Sequence, residues 1–195
     1  NCGGRDHSSA AVERAVIEWL VKISNISGCV PRASKSDYSF GALVSGTSMA
    51  TILALMCARQ RVFGPSISKT GVKTLPEIRA YAVAGAHSCI SRALSVLGHG
   101  TDSLRLIEGQ DGQISLPALR VAVEEDRAAG IVPLAVVGTA GTVNLGEYDD
   151  FVALGAFCRE QNIWFHVDAA FGFWILLSDK QSYRQLANGI ENACS

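Results

Sequence analysis

The sequence predicts an α/β fold, a mainly parallel sheet flanked by helices. Three observations carry that expectation. Short apolar runs of strand length alternate with longer segments whose apolar residues recur at helical spacing. The segments between strands are long enough for crossover connections, which in such folds are right-handed and make neighbouring strands parallel. The run Ile131 to Val137 is apolar without interruption, as a strand covered on both faces reads. With 195 residues, 48% of them apolar and 18% charged, residues 1–195 are expected to be one globular domain.

The elements follow in order. Ser9 to Ile23 is a predicted helix, with Val12, Val16, Trp19, Leu20 and Ile23 on one face and Ser8 or Ser9 as cap. Gly41 to Val44 is a short apolar run, read as a strand, that enters Ser45-Gly46-Thr47-Ser48. Met49 to Arg61 reads as a helix that is apolar on nearly all sides, the pattern of a buried helix. Residues 62–76 carry Gly64-Pro65, Gly71 and Pro76 and read as a loop. Ile78 to Val83 is a predicted strand, Ser88 to Leu97 a helix, and Leu104 to Ile107 a strand. Leu116 to Ala129 is helical, with Pro117 tolerated in the first turn and Gly130 as a stop. After the strand Ile131 to Val137, Asp149 or Asp150 caps a helix that runs to about Gln161. Ile163 to Val167 is the last predicted strand, and Asp168 ends it.

Bulk properties exclude several function classes. A formal net charge of -1 offers no field for nucleic acid or anionic membrane. The longest apolar runs fall far short of the ~18 residues of a membrane span. The start, Asn1-Cys2-Gly3-Gly4-Arg5-Asp6-His7, holds no apolar leader core. Six scattered cysteines without a C-x-x-C pair suit neither a disulfide framework nor a metal centre. They read as buried or idle thiols of a cytoplasmic protein, and no metal site is expected.

Ligands of open parallel sheets bind at the carboxyl ends of the strands. That rule selects four places, each following a predicted strand: 45–48, 84–87, 139–143 and 168–170. At the first, Gly46-Thr47-Ser48 stands before a helix, where free N–H groups, the positive dipole end and two hydroxyls would cradle a phosphate. Thr47 or Ser48 as an ordinary N-cap is the plainer reading. At the second, His87 could lie flat on an aromatic ring, serve acid–base work or simply cap a helix. At the third, Thr139-Ala140-Gly141-Thr142-Val143 brings hydroxyls and N–H groups to the same rim. At the fourth, a carboxylate ending an apolar strand needs a cationic or hydrogen-bonding partner. A protonated pyridine nitrogen is one such partner for Asp168, and capping the next segment is the other reading.

Four blocks then match a known family in order. Ser45-Gly46-Thr47-Ser48-Met49-Ala50 continuing to Ala58-Arg59 resembles the phosphate-loop block of group II pyridoxal-5′-phosphate (PLP) dependent amino-acid decarboxylases, the aromatic-amino-acid and glutamate decarboxylase group. Ala86-His87-Ser88-Cys89 continuing to Arg92-Ala93 resembles its HSS…RA block. Thr139 to Asp150 resembles its TxGTT…G.FD block, and Trp164-Phe165-His166-Val167-Asp168-Ala169-Ala170 its W.HVDAA block. The resemblance covers nearly the whole chain, including the helix around Trp19.

The resemblance implies the large domain of fold-type I PLP enzymes, a homodimer, and decarboxylation of an L-amino acid to the amine and CO₂. It implies that Thr47 and Ser48 bind the cofactor phosphate, that His87 stacks on the ring, and that Asp168 pairs with the ring nitrogen. Thr142 and Ala170 would also contact the cofactor, and His87 and Asp168 would be the catalytic residues. Two departures stand out: Met49 replaces a usual Glu, and Val143 replaces the second Thr of the G-T-T run. The family's Schiff-base lysine would fall shortly beyond Ser195, and an N-terminal arm and small C-terminal domain would lie outside the sequence. The stretch alone is therefore expected to be inactive. The alternatives are another fold-type I reaction (a lyase, an aldehyde synthase or an aminotransferase) and an inactive truncated fragment. Gly46-Thr47-Ser48-Met49-Ala50 also matches the subtilisin-type nucleophile motif. That motif's proline is missing here, and the serine precedes the histidine of Gly98-His99-Gly100, the reverse of the subtilisin order.

Overall fold

The computed structural model describes residues 8–26, 41–110 and 112–195. Helix α1 spans Ser8–Ser24, α2 Thr47–Phe63 and α3 Ile67–Thr70. Strand β1 (Ile78–Val83) leads to α4 (Cys89–Val96) and then β2 (Leu104–Ile107). A small hairpin follows, β3 (Gly109–Gln110) with β4 (Gln113–Ile114), then α5 (Leu116–Ala128), β5 (Val132–Thr139), α6 (Phe151–Gln161) and β6 (Trp164–Asp168). Short 3-10 turns and α7 (Gln181–Arg184) complete the described residues.

The main sheet has the order β2-β1-β5-β6, and every pairing in it is parallel. Side-chain alternation sends the strands' residues to two cores. Ala80, Ala82, Leu134, Val137 and Trp164 meet Leu55 and Ala58 of α2 and Ile90, Ala93 and Leu94 of α4. Tyr81, Val83, Val136, Phe165 and Val167 meet Leu119 and Val123 of α5 and Phe151, Leu154 and Phe157 of α6. Both faces are thus covered, which is why the central strand β5 reads as an unbroken apolar run. Small alanines on the first face let α2 and α4 approach closely. Pro133 cannot donate to the ladder, and the register between β1 and β5 shifts there, between Arg79 and Ala80.

The chain leaves β1 toward β2 on one side and β5 toward β6 on the other. The connections therefore diverge at the carboxyl ends of β1 and β5, the switch point where a crevice opens.

Several expectations are corrected. Residues 41–44 form no strand: Leu43 is half exposed and donates its N–H to Glu13 Oε1 of α1 at 3.0 Å, so a helix side chain, and no neighbouring strand, holds it. The first rim hence follows an extended segment outside the sheet. In α1 the buried residues are Ile17 and Ser24, while Val12 and Trp19 are exposed. In α2 one face is buried (Thr51, Ala54, Leu55, Ala58), but Met49 and Met56 are exposed, because the sheet covers a helix on one side only. The predicted loop 62–76 contains α3, and the hairpin β3–β4 had no forecast. Ser8 and Ser9 both lie inside α1, so neither stands ahead of it as the expected cap, while Cys2 and Cys29 fall outside the described residues. Cys57, Cys89 and Cys158 are free thiols, but Cys194 is disulfide-bonded. Spacing along a chain does not reveal which distant sulfurs meet.

Candidate active site

The first turn of α2 supplies one end of the crevice. Gly46 is its N-cap, at φ 148°, and no side chain caps the helix. Met49 and Ala50 N–H groups go to the Gly46 carbonyl at 3.0 and 3.1 Å. The ordinary N-cap reading of Thr47 and Ser48 therefore fails, since both lie inside the helix. Among the described residues, the positive end of the dipole is left without a side-chain acceptor.

The turn after β1 brings Gly85 and His87. His87 Nδ1 accepts the N–H of Cys89 at 3.2 Å, so the imidazole caps α4 while also lining the crevice. That bond leaves Nε2 as the proton-bearing nitrogen of the neutral ring. After β5, Gly141 takes φ 82°, and a Cβ there would stand 3.3 Å from Gly172 Cα, so the two loops touch backbone to backbone. Thr142 lines the crevice, but its hydroxyl serves the loop: it accepts the Glu147 N–H at 3.1 Å and lies 3.3 Å from Glu147 Oε2.

Asp168 ends β6 directly beside Thr139 of β5 in the parallel register. Paired residues of parallel strands project from the same face, here the α2–α4 face. Asp168 Oδ1 accepts the Ala170 N–H at 3.2 Å, and Oδ2 lies 3.5 Å from the Cys89 sulfur. Among the described residues no cation pairs with this carboxylate. Burial above all, with the Asp168 carboxylate adding to it, pushes the Cys89 thiol up, so the sulfur stays protonated. Burial likewise holds the His166 imidazole of β6 below its usual range, against the opposing pull of Asp168.

These rims enclose a pocket of about 170 Å³ lined by Thr47, Gly85, His87, Thr139, Gly141, Thr142, Val143, Asp168, Ala170 and Phe171. Of the residues singled out in the sequence, Thr47, His87, Thr142, Asp168 and Ala170 meet there. Ser48 does not line the pocket; it is exposed on the first turn of α2. Cys89 and Phe171 have no individual role in the sequence reading, and Thr139 enters it only as part of the third rim. Thr139 is buried, and its Oγ1 has no hydrogen-bond partner among the described residues.

An uncapped helix end, a carboxylate without a cation and a buried hydroxyl without a partner share one crevice. Such a site suits a ligand that is anionic at one end and cationic at the other. Phosphorylated pyridines with a protonated ring nitrogen have that form, so the residues present fit pyridoxal phosphate.

The fold and this crevice define an α/β protein of the fold-type I class, whose ligand site lies at a switch point of a parallel sheet. The chain belongs to the pyridoxal-dependent decarboxylase family: the model of the pyridoxal-dependent decarboxylase conserved domain matches residues 7–195. It is 32% identical over 192 residues to the aromatic-L-amino-acid decarboxylase of Sus scrofa, covering 94% of this chain and 38% of that protein. It is 33% identical over 156 residues to the cysteine sulfinic acid decarboxylase of Homo sapiens, covering 80% and 31%. The crystal structure of mouse CSAD in apo form superposes with a TM-score of 0.83 at 29% identity, covering 94% of this chain and 36% of that one. The chain thus spans about 38% of the length of the pig relative.

Proposed function

We propose that the protein carrying these residues binds pyridoxal phosphate and decarboxylates an L-amino acid to the amine and CO₂. The observation that carries this reading is the pairing, in one crevice, of an uncapped helix N-terminus with the cation-free carboxylate of Asp168. Family membership supports the reaction class.

When bound, pyridoxal phosphate supplies an electron sink for the pair left behind as CO₂ departs. The residues of this chain do the rest. The first-turn N–H groups of α2, with the Thr47 hydroxyl, would hold the phosphate, and Ser48, outside the pocket lining, is assigned to it by the family resemblance alone. Asp168 would hold the ring nitrogen, its negative charge favouring the protonated form. His87, with its proton on Nε2, bounds the pocket and can hold or release a proton there. Thr142 and Ala170, which line the pocket, would contact the ring. The unpartnered Thr139 hydroxyl supports a polar occupant of this pocket.

The same reading assigns residues 1–195 to the PLP-binding large domain of a homodimer. Exposed apolar side chains continue from the pocket rim, Val143 and Phe171 to Leu145, Trp174 and Leu177, and a second copy would cover them. Sedimentation equilibrium tests this, and a monomer at micromolar concentration would refute it. Among the described residues no helix is long and apolar enough to cross a membrane. Cytoplasmic placement is supported by the free thiols Cys57, Cys89 and Cys158, and the Cys194 disulfide is the counter-observation.

The deciding experiment uses the intact protein. Loaded with pyridoxal phosphate, it should release CO₂ and amine from an L-amino acid; a keto acid or aldehyde product would overturn decarboxylation as its reaction. Asp168→Ala should lower turnover by about 10²- to 10³-fold, the order for losing a key electrostatic group. Turnover near that of the parent would remove Asp168 from the assigned role.

A further inference from the structure

Asp168 is gripped by two donors from different parts of the fold. The Ala170 N–H holds Oδ1 from the loop that follows β6, and the Cys89 sulfur stands 3.5 Å from Oδ2 in the first turn of α4. Cys89 is fully buried. Thr51 of α2, itself buried, lies behind it, with Oγ1 3.6 Å from the Cys89 sulfur and 3.0 Å from the Thr47 carbonyl. Thr47 also lines the pocket. Thr51 and Cys89 therefore stand in contact between the backbone of the proposed phosphate turn and the proposed ring-nitrogen partner, and their one hydroxyl and one thiol proton make two of these three contacts hydrogen bonds at a time.

We infer that Cys89 and Thr51 are positioning residues that orient the Asp168 carboxylate relative to the first turn of α2. The inference rests on the ligand reading above and adds to it. A carboxylate held at one oxygen alone can rotate about its χ2, whereas donors at both oxygens fix its plane. A thiol is a weak donor. It therefore orients Oδ2 while leaving most of the negative charge for a cationic ligand atom; a lysine or arginine in its place would neutralise that charge. The Thr51 hydroxyl has one proton and two acceptors within reach. Given to sulfur, that proton leaves the thiol hydrogen free for Asp168. Cys89 stands where the family block carries its second serine, so serine is the conservative replacement.

The test uses the intact protein and 4′-deoxypyridoxine 5′-phosphate. This probe keeps the phosphate and the ring nitrogen but has no aldehyde, so its binding needs no Schiff base. Affinity is measured by calorimetry, and ring protonation by the ultraviolet spectrum of the bound probe. Cys89→Ala should bind about tenfold more weakly, the order for a hydrogen bond to a charged group. Its bound probe should also lose part of the N-protonated spectrum. Cys89→Ser should restore both, and Thr51→Val should weaken binding in the same direction. The inference is overturned if Cys89→Ala binds like the parent, if its affinity falls with the ring spectrum unchanged, or if Cys89→Ser is as weak as Cys89→Ala. Should Cys89→Ala fail to fold, Cys89→Ser and Thr51→Val decide by the same spectrum. If the parent itself does not bind the probe, or Asp168→Ala binds it equally well, the ligand reading falls and takes this inference with it.

Discussion

Replacing Asp149 by Ala tests how the end of β5 is tied to the hairpin beside it. Asp149 is 4% exposed, and both carboxylate oxygens accept backbone N–H groups, Oδ1 from Ile114 at 2.6 Å and Oδ2 from Thr139 at 2.7 Å. Its own N–H returns to the Thr139 carbonyl at 3.0 Å. Hydrogen bonds to a charged group contribute about 1.5–3 kcal/mol each, so the two together stabilise by roughly 3–6 kcal/mol. Burying the carboxylate offsets part of this, and burial is also the main cause that pushes its pKa up. The net expectation for Asp149→Ala is a loss of about 3 kcal/mol, with two buried N–H groups left unsatisfied. Asn keeps one acceptor and should lose about half as much. Urea unfolding measures this as a lower midpoint at constant slope. A change within about 0.5 kcal/mol for Asp149→Ala, the range of an ordinary surface substitution, would refute the reasoning.

Asp150→Ala should cost only about 1 kcal/mol, because that side chain accepts one exposed N–H, from Ala153 at 3.0 Å, as the N-cap of α6. A larger loss than for Asp149→Ala, in the same urea titration, would reverse the two roles. Thr139→Val removes a buried hydroxyl that has no partner among the described residues and should leave stability unchanged or raise it by up to about 1 kcal/mol. A fall of that size by thermal melting would mean that the hydroxyl is bonded. Burial depresses the His166 pKa, and burial followed by the Arg59 charge depresses that of His99. The folded state therefore favours the neutral rings. Their contribution to stability is full above the ordinary histidine value of about 6.5 and is lost as pH falls toward the depressed values. Melting temperature should drop between pH 7 and 5, and His166→Gln should flatten that slope; an unchanged slope would count against it.

Local pattern was enough for the architecture and for the place of the site. The strands β1, β2, β5 and β6 read correctly to within a residue or two, because β1, β5 and β6, buried on both faces, are mostly apolar runs and the edge strand β2 is a short, mainly aliphatic one. Asp168 stood out because a carboxylate at the end of such a run demands a partner. The sequence blocks around Thr47, His87, Thr142 and Asp168 carried the family resemblance. Other features were not legible. The Asp149-Asp150 pair looked interchangeable as a cap; only the meeting of the hairpin strand β4, through Ile114, with the end of β5, through Thr139, gives one of them two backbone donors. The apolar face of α1 and the all-round apolar α2 were misread, since periodicity marks a face without naming what covers it. Cys89 and Asp168 lie 79 residues apart, and nothing near either one announces the other. Periodicity and capping arise from neighbours within a turn or two, so residues reveal them in isolation. Contacts between the end of one strand and the helix after another exist only once the crossovers have closed, and that closure set the Thr51–Cys89–Asp168 chain and the solitary Thr139 hydroxyl.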